Sequence, residues 1–290
     1  MRVADNITES VCFLCVRKNG QAGYTHGGTA FFLSVPFDDA DLDKGGFPYL
    51  VTAKHCIEFA KQFGPLFVRL NTREGGAEYH EVTGEWIYGD NHGADVAVLP
   101  FSALPVLQPF QLRAIPTSMA ATESVIEEND IGIGDEVVVT GLFTKRSGTH
   151  KNLPIVRSGI ISAMPAEMLV GRYLEHYSAY LVEMRSIGGL SGSPVLVYKE
   201  WVKDPIKKTP NLGIPYLTTR IFLLGLIRGH WDDEDTKDSW KDFGGKESAV
   251  NMGIATVTPI QEALAIINKE DLVRQRRGQL PEQPLSSRLT

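Results

Sequence analysis

Cysteine is scarce: the 290 residues hold Cys12, Cys15 and Cys56 and no others. An odd, low count excludes a disulfide framework and points to a reducing compartment, so a cytoplasmic location is expected. Cys12 and Cys15 have CxxC spacing, but no second pair completes a four-ligand zinc site. The alternation of Val11, Phe13 and Cys15 reads instead as a strand carrying buried thiols, and neither metal nor cofactor is expected. Long apolar runs are also missing. No segment approaches the roughly 18 residues of a membrane span, and the opening MRVADNITES lacks the apolar stretch of a secretory signal. Nor is there an excess of positive charge. A formal net charge of -6 leaves no footprint for nucleic acid, so neither nucleic acid nor membrane is expected as a partner.

What the chain does contain is core material, 43% hydrophobic against 22% charged residues, cut into short apolar segments separated by turn residues. That pattern is all-β. Strands are expected at Val11–Val16, Thr29–Val35, Tyr49–Thr52, Leu66–Leu70, Val82–Ile87 and Val96–Pro100. A second set of six is expected at Glu136–Leu142, Ile155–Ser162, Tyr180–Glu183, Pro194–Tyr198, Ile221–Ile227 and Gly253–Val257. Residues 111–135 form the expected connection between an N-terminal unit, 1–110, and a C-terminal unit, 136–258. In 259–290, Ile260, Ala263, Leu264 and Ile267 share one helical face, with Pro259 at a favourable first-turn position, and a mobile tail is expected from Arg274 on.

Three stretches carry chemistry. The strand Tyr49–Thr52 runs into Ala53-Lys54-His55-Cys56, placing an imidazole where a buried strand ends. Asp95 opens the apolar segment Val96-Ala97-Val98-Leu99. Gly188-Gly189-Leu190-Ser191-Gly192-Ser193-Pro194 surrounds a serine with glycines and passes into a strand without a polar spacer. The glycines let backbone N–H groups turn toward one point, where an oxyanion could bind.

These stretches resemble the motifs of trypsin-like serine peptidases: Thr52-Ala53-Lys54-His55-Cys56 the histidine motif, Asp95-Val96-Ala97-Val98-Leu99 the aspartate strand, and Gly189-Leu190-Ser191-Gly192-Ser193-Pro194 the serine motif, in the family's chain order. Gly27-Gly28-Thr29-Ala30-Phe31 and Leu224-Gly225-Leu226-Ile227 extend the likeness. The resemblance implies two six-stranded antiparallel β-barrels with the active site in the cleft between them, plus a C-terminal helix. The first barrel would carry His55 and Asp95, and the second Ser191. It also implies a serine endopeptidase that works without a cofactor on a protein or peptide substrate. Ser191 would be the nucleophile, His55 the base and Asp95 its orienting carboxylate, with the N–H groups of Gly189 and Ser191 as oxyanion hole. Backbone groups of Arg228, Gly229 and His230 would pair with substrate, and Arg185 and Ile187 would line its side-chain pocket.

Departures from the digestive members matter. His26 stands where their half-cystine would pair with Cys56, so Cys56 is expected to be a free thiol, and Leu190 replaces the aspartate used in zymogen activation. The chain is closer to the bacterial, HtrA-like branches. By the same resemblance the acidic segment Trp231–Ser248, seven carboxylates against three lysines, edges the cleft. A trypsin-fold binding module with a collapsed oxyanion loop is the alternative, and a regulatory protein partner is compatible with both.

Overall fold

The computed structural model describes residues 3, 5–17, 23–38, 45–91, 93–100, 110–170, 176–184, 188–203, 216–232 and 251–279. Arg185, Ile187 and most of the acidic segment, residues 233–250, lie outside the described residues. Two β systems make up most of the rest. In the N-terminal half, β1 (Val11–Val16), β2 (Thr25–Pro36), β3 (Gly46–Thr52), β4 (Leu66–Asn71), β5 (Ala77–Glu81), β6 (Ile87–Tyr88) and β7 (Ala97–Pro100) pair in the order β5-β4-β1-β2-β3-β7-β6, while β8 (Ile115–Pro116) runs parallel to β2. In the C-terminal half, β9 (Glu136–Gly141), β10 (Ile155–Ala163), β13 (Tyr180–Glu183), β14 (Pro194–Lys203), β15 (Tyr216–Asp232) and β16 (Asn251–Pro259) close into a six-stranded barrel. A small hairpin, β11 (Leu169–Val170) with β12 (His176–Tyr177), stands beside it.

The expected C-terminal barrel is therefore present and the expected N-terminal one differs. Eight strands form a sheet that the described pairings leave open between β5 and β6. The strand expected at Val82–Ile87 is split: β5 lies earlier, at Ala77–Glu81, and β6 begins only at Ile87. The sequence hides β5 because Ala-Glu-Tyr-His-Glu is a polar edge strand with no buried residue, so the apolar alternation that marks a strand is missing.

Alternation along the central strands decides which core each residue serves. On β2, Phe31 and Leu33 face a core shared by the two halves, while Ala30 and Phe32 face the interior of their own sheet. On β14, Leu196 and Tyr198 join the shared core and Val195 and Val197 fill the barrel. A period-two strand buried on both faces welds the halves together.

Helices are short. Helix α1 (Asp5–Thr8) precedes β1, and α2 (Lys54–Ala60), which the sequence reading did not anticipate, follows β3 and buries Ile57 and Ala60. Inside the supposed connection lies α3 (Glu123–Glu128), capped by the Thr122 hydroxyl, which accepts from the Val125 N–H at 3.4 Å. The expected C-terminal helix is α4 (Ile260–Ile267), whose Ile260 and Ile266 enter the shared core. A further helix, α5 (Glu270–Gln279), occupies residues expected to be mobile from Arg274 on. Leu272 is buried and the Arg276 guanidinium reaches the Tyr49 hydroxyl at 2.6 Å, tertiary contacts that no local pattern announces. Among the described residues no helix is long and apolar enough to cross a membrane.

A buried cation crosses the seam between the halves. Arg69 on β4 is only 3% exposed, and its guanidinium donates to the carbonyls of Ser147, Gly148 and Thr149 at 3.2, 2.8 and 3.0 Å. The Asn152 side chain returns a bond to the Arg69 carbonyl at 2.7 Å. Substituting Arg69 by Met leaves these carbonyls without their donor, and should cost roughly 2–4 kcal/mol of stability. Urea denaturation of the two proteins measures it, and a loss under about 0.5 kcal/mol, the range of an ordinary surface change, would show that the loop holds without the cation.

Candidate active site

The strand β3 ends at Thr52, and Ala53, in extended conformation, turns the chain into α2, of which His55 is the second residue. Its backbone N–H donates to Asp95 Oδ1 at 2.9 Å while its ring Nδ1 lies 2.6 Å from Asp95 Oδ2. Both carboxylate oxygens are thus engaged by one residue, which fixes the ring plane and the tautomer.

Electrostatics reinforce the clasp. Desolvation by itself would raise the Asp95 pKa, but the facing His55, its two hydrogen bonds and the Arg228 guanidinium together hold it below the ordinary value. Desolvation opposes charging of His55 too. With its side chain 48% exposed, that influence is outweighed by the Cys56 thiol and the Asp95 carboxylate, and the imidazole is held well above 6.5.

The glycine-flanked turn packs directly on this junction. Gly189 and Gly192 have φ of +100° and +82°. At Gly192 a Cβ would stand 2.3 Å from Thr52 Oγ1 and 3.1 Å from Ala53 N, so only glycine permits the approach. Thr29 secures the loop: its hydroxyl donates to the Gly189 carbonyl at 2.8 Å and its N–H to the Ser191 carbonyl at 3.0 Å. The Gly192 N–H donates to Ile227 O at 2.8 Å and the Ile227 N–H to Ser193 O at 2.9 Å, tying the turn to β15. Ser191 is half-buried. Among the described residues the N–H groups of Gly189 and Ser191 have no backbone acceptor.

The structure therefore brings His55, Asp95 and the Ser191 turn to one junction between the halves. It does not pair His55 with Ser191. The Nε2 atom instead contacts Cys56 Sγ at 3.5 Å, and no hydrogen bond joins it to the serine among the described residues. Sequence reasoning missed this thiol as a neighbour of the base, because two adjacent residues at a helix start reveal nothing of their rotamers. As expected, Cys56 is free, as are Cys12 and Cys15, whose burial pushes both thiols far above the usual range.

Arg228, Gly229 and His230 lie on β15 beyond the register where β14 begins, Pro194 facing Leu226; Gly229 and His230 pair with Thr256 and Ala255 of β16. The Arg228 side chain has another occupation, donating to Gly93 O at 2.7 Å and stacking 3.7 Å above the Tyr177 ring. Gly93 stands two residues before Asp95, and a Cβ there would meet His176 O at 2.0 Å. The aspartate loop is clamped from the barrel side by a residue that the sequence offered only for its backbone.

No protein-family model matches the sequence, and no curated protein does. Similar solved structures include HtrA-type and trypsin-like serine proteases. The serine endoprotease from Yersinia pestis aligns at 19% identity and a TM-score of 0.47 over 93% of this chain. The HtrA-type protease AlgW with a decapeptide aligns at 17% and 0.48, also over 93% of this chain. This chain spans 65% and 66% of those two chains. Deg5 aligns at 15% and 0.47, covering 90% of this chain and 88% of that one.

The clasp dictates a pH signature. His55, with its pKa raised, contributes stability that is complete below about 6.5 and is lost as pH rises through its folded value. Asp95, with its pKa lowered, contributes above about 3.8 and loses it as pH falls through its folded value. The stability difference between the native chain and His55→Ala should be greatest between pH 3.8 and 6.5 and shrink on both sides. Unfolding curves across pH test this, and a difference independent of pH would contradict it.

Proposed function

We propose that the chain is a serine endopeptidase of the trypsin-like type, with the N-terminal half, residues 1–110, as counterpart of the first barrel and residues 136–258 as the second, joined by 111–135. The observation that carries this is the two-pronged clasp of His55 on a buried carboxylate beside a glycine-flanked serine turn. Peptide hydrolysis through a serine nucleophile calls for these parts. Ser191 Oγ attacks the scissile carbonyl as His55 Nε2 takes its proton, and the tetrahedral oxyanion forms against the N–H groups of Gly189 and Ser191. His55 then passes the proton to the leaving amine, and water repeats the sequence on the acyl-enzyme. Asp95 holds the imidazolium. Gly229 and His230 offer the strand edge to which the acyl part of a peptide adds. The chemistry needs no cofactor, and free thiols suit a reducing, cytoplasmic setting.

One observation favours a second reading, a binding module without turnover: His55 Nε2 faces a thiol, not the serine. Catalytic hydrogen bonds are commonly loose before substrate arrives, so the peptidase reading does not require a His55–Ser191 bond in the free chain.

Labelling with a fluorophosphonate separates the two. The peptidase should be modified at Ser191, mapped by mass spectrometry, and Ser191→Ala should lose activity by a factor on the order of 10⁴ to 10⁶ with its unfolding curve unchanged. An unlabelled Ser191 would leave the binding module. The acid limb of kcat/KM should have its midpoint above pH 6.5, because the base must be neutral and its pKa is raised.

A further inference from the structure

Beside His55 a cavity of about 540 Å³ opens between the β1–β2 hairpin, α2 and the serine turn. Its walls are Leu14 and Val16 of β1, Phe59 and Phe63 one helical turn apart, and Leu66. The rings of Phe59 and Phe63 touch, with centroids 4.7 Å apart. Cys56 and Gly28 also line it. A Cβ at Gly28 would meet Cys56 Sγ at 3.0 Å, so the space reaches the thiol because glycine leaves it open.

Apart from His55 itself, the lining carries no charge. Among the described residues no lysine, arginine or carboxylate borders the cavity. Its second imidazole, His26, is bonded to the Tyr79 hydroxyl at 3.2 Å, and burial and the Arg69 guanidinium lower its pKa, which keeps it neutral near pH 7. An ionised ligand group held among Leu14, Val16, Phe59, Phe63 and Leu66 would lose its hydration with nothing to replace it.

Position decides what enters. The cavity is bordered by His55 and by Gly188 and Gly189, yet among the described residues by none of β15, the edge offered to the acyl part of a peptide. The substrate atom nearest His55 at the second proton transfer is the leaving nitrogen. Whatever that nitrogen carries lies on the His55 side of the turn, away from β15, and there the cavity begins. We infer that the cavity is a specificity site for a large, uncharged apolar side chain, aromatic or branched aliphatic, on the leaving-group side of the cleaved bond. The inference rests on the peptidase reading above, and its volume exceeds one aliphatic side chain.

Aminolysis of an acyl-enzyme examines this site alone. p-Nitrophenyl acetate would acetylate Ser191 with release of p-nitrophenolate. An added amino-acid amide then attacks the acetyl carbonyl through its amine nitrogen, the carbonyl–Oγ bond breaks, and His55 carries the amine proton to Ser191 Oγ. Phenylalanine and leucine amides should capture the acetyl group at least about tenfold better than alanine amide, the scale of discrimination by an apolar pocket, and aspartate and lysine amides no better than alanine. Val16→Lys and Phe63→Lys, at half-buried wall positions, should each abolish the preference, read as the ratio of phenylalanine amide to alanine amide capture within one variant. Equal capture of all five amides overturns the inference. A second measurement is independent of turnover. In Ser191→Ala, phenylalanine amide should slow iodoacetamide alkylation of Cys56 and aspartate amide should not, since Cys12 and Cys15 are buried. No slowing overturns the inference. Slowing in Ser191→Ala, combined with a native chain that p-nitrophenyl acetate fails to acetylate at Ser191, upholds the apolar site and overturns the peptidase reading instead.

Discussion

Thr29 is the residue on which the geometry of the junction depends. Its hydroxyl accepts the Leu142 N–H at 2.9 Å and donates to Gly189 O, its N–H holds Ser191 O, and its carbonyl accepts the Thr52 hydroxyl at 2.7 Å. Strand β2, the barrel, the serine turn and the end of β3 converge on one fully buried side chain. A buried hydroxyl that both donates and accepts is rigid, because leaving either partner unmatched would cost the desolvation of that group. An apolar residue of the same size would fill the volume, keep the two backbone bonds and release the two made by the hydroxyl. The serine turn is thus registered against the helix that carries His55 by polar contacts, while the surrounding core supplies mass and no direction.

Two arginines add direction from outside that core. Arg69 binds three carbonyls across the seam, and Arg228 reaches back from β15 to Gly93 beside the aspartate. Both lie against tyrosine rings, Tyr79 and Tyr177. A planar guanidinium can hydrogen-bond at its edge while its face rests on an aromatic surface, which lysine cannot do. Electrostatically Arg228 has a second effect, since its charge helps keep the partner of His55 ionised.

The immediate surroundings of His55 are unusual in what they mix. One ring nitrogen is bound by a buried carboxylate and the other meets a thiol that lines an apolar cavity. Carboxylate and thiol both favour the charged imidazole, so the same geometry that orients the base also makes it more basic. A base of this kind takes a proton readily and holds it more firmly, a balance that sets the pH range in which it can act.

Much of this was legible in the chain. The twelve expected strands mostly fall on observed ones, because half-buried strands force a period-two pattern onto their side chains. The residues that meet at the junction, His55, Asp95 and Ser191, were marked by local context: a strand end, the start of an apolar run, a cluster of glycines. Where local context is empty the sequence was silent. The edge strand β5 is polar on both faces, α2 and α3 are too short to show a period, and α5 is held by Leu272 and Arg276 through contacts made far along the chain. Tertiary structure alone decided that the N-terminal sheet stays open in the described pairings, that Arg228 serves the aspartate loop with its side chain, and that His55 turns toward Cys56. Rotamers and cross-strand partners are chosen by neighbours that sequence distance hides, whereas the alternation of buried and exposed positions is written residue by residue.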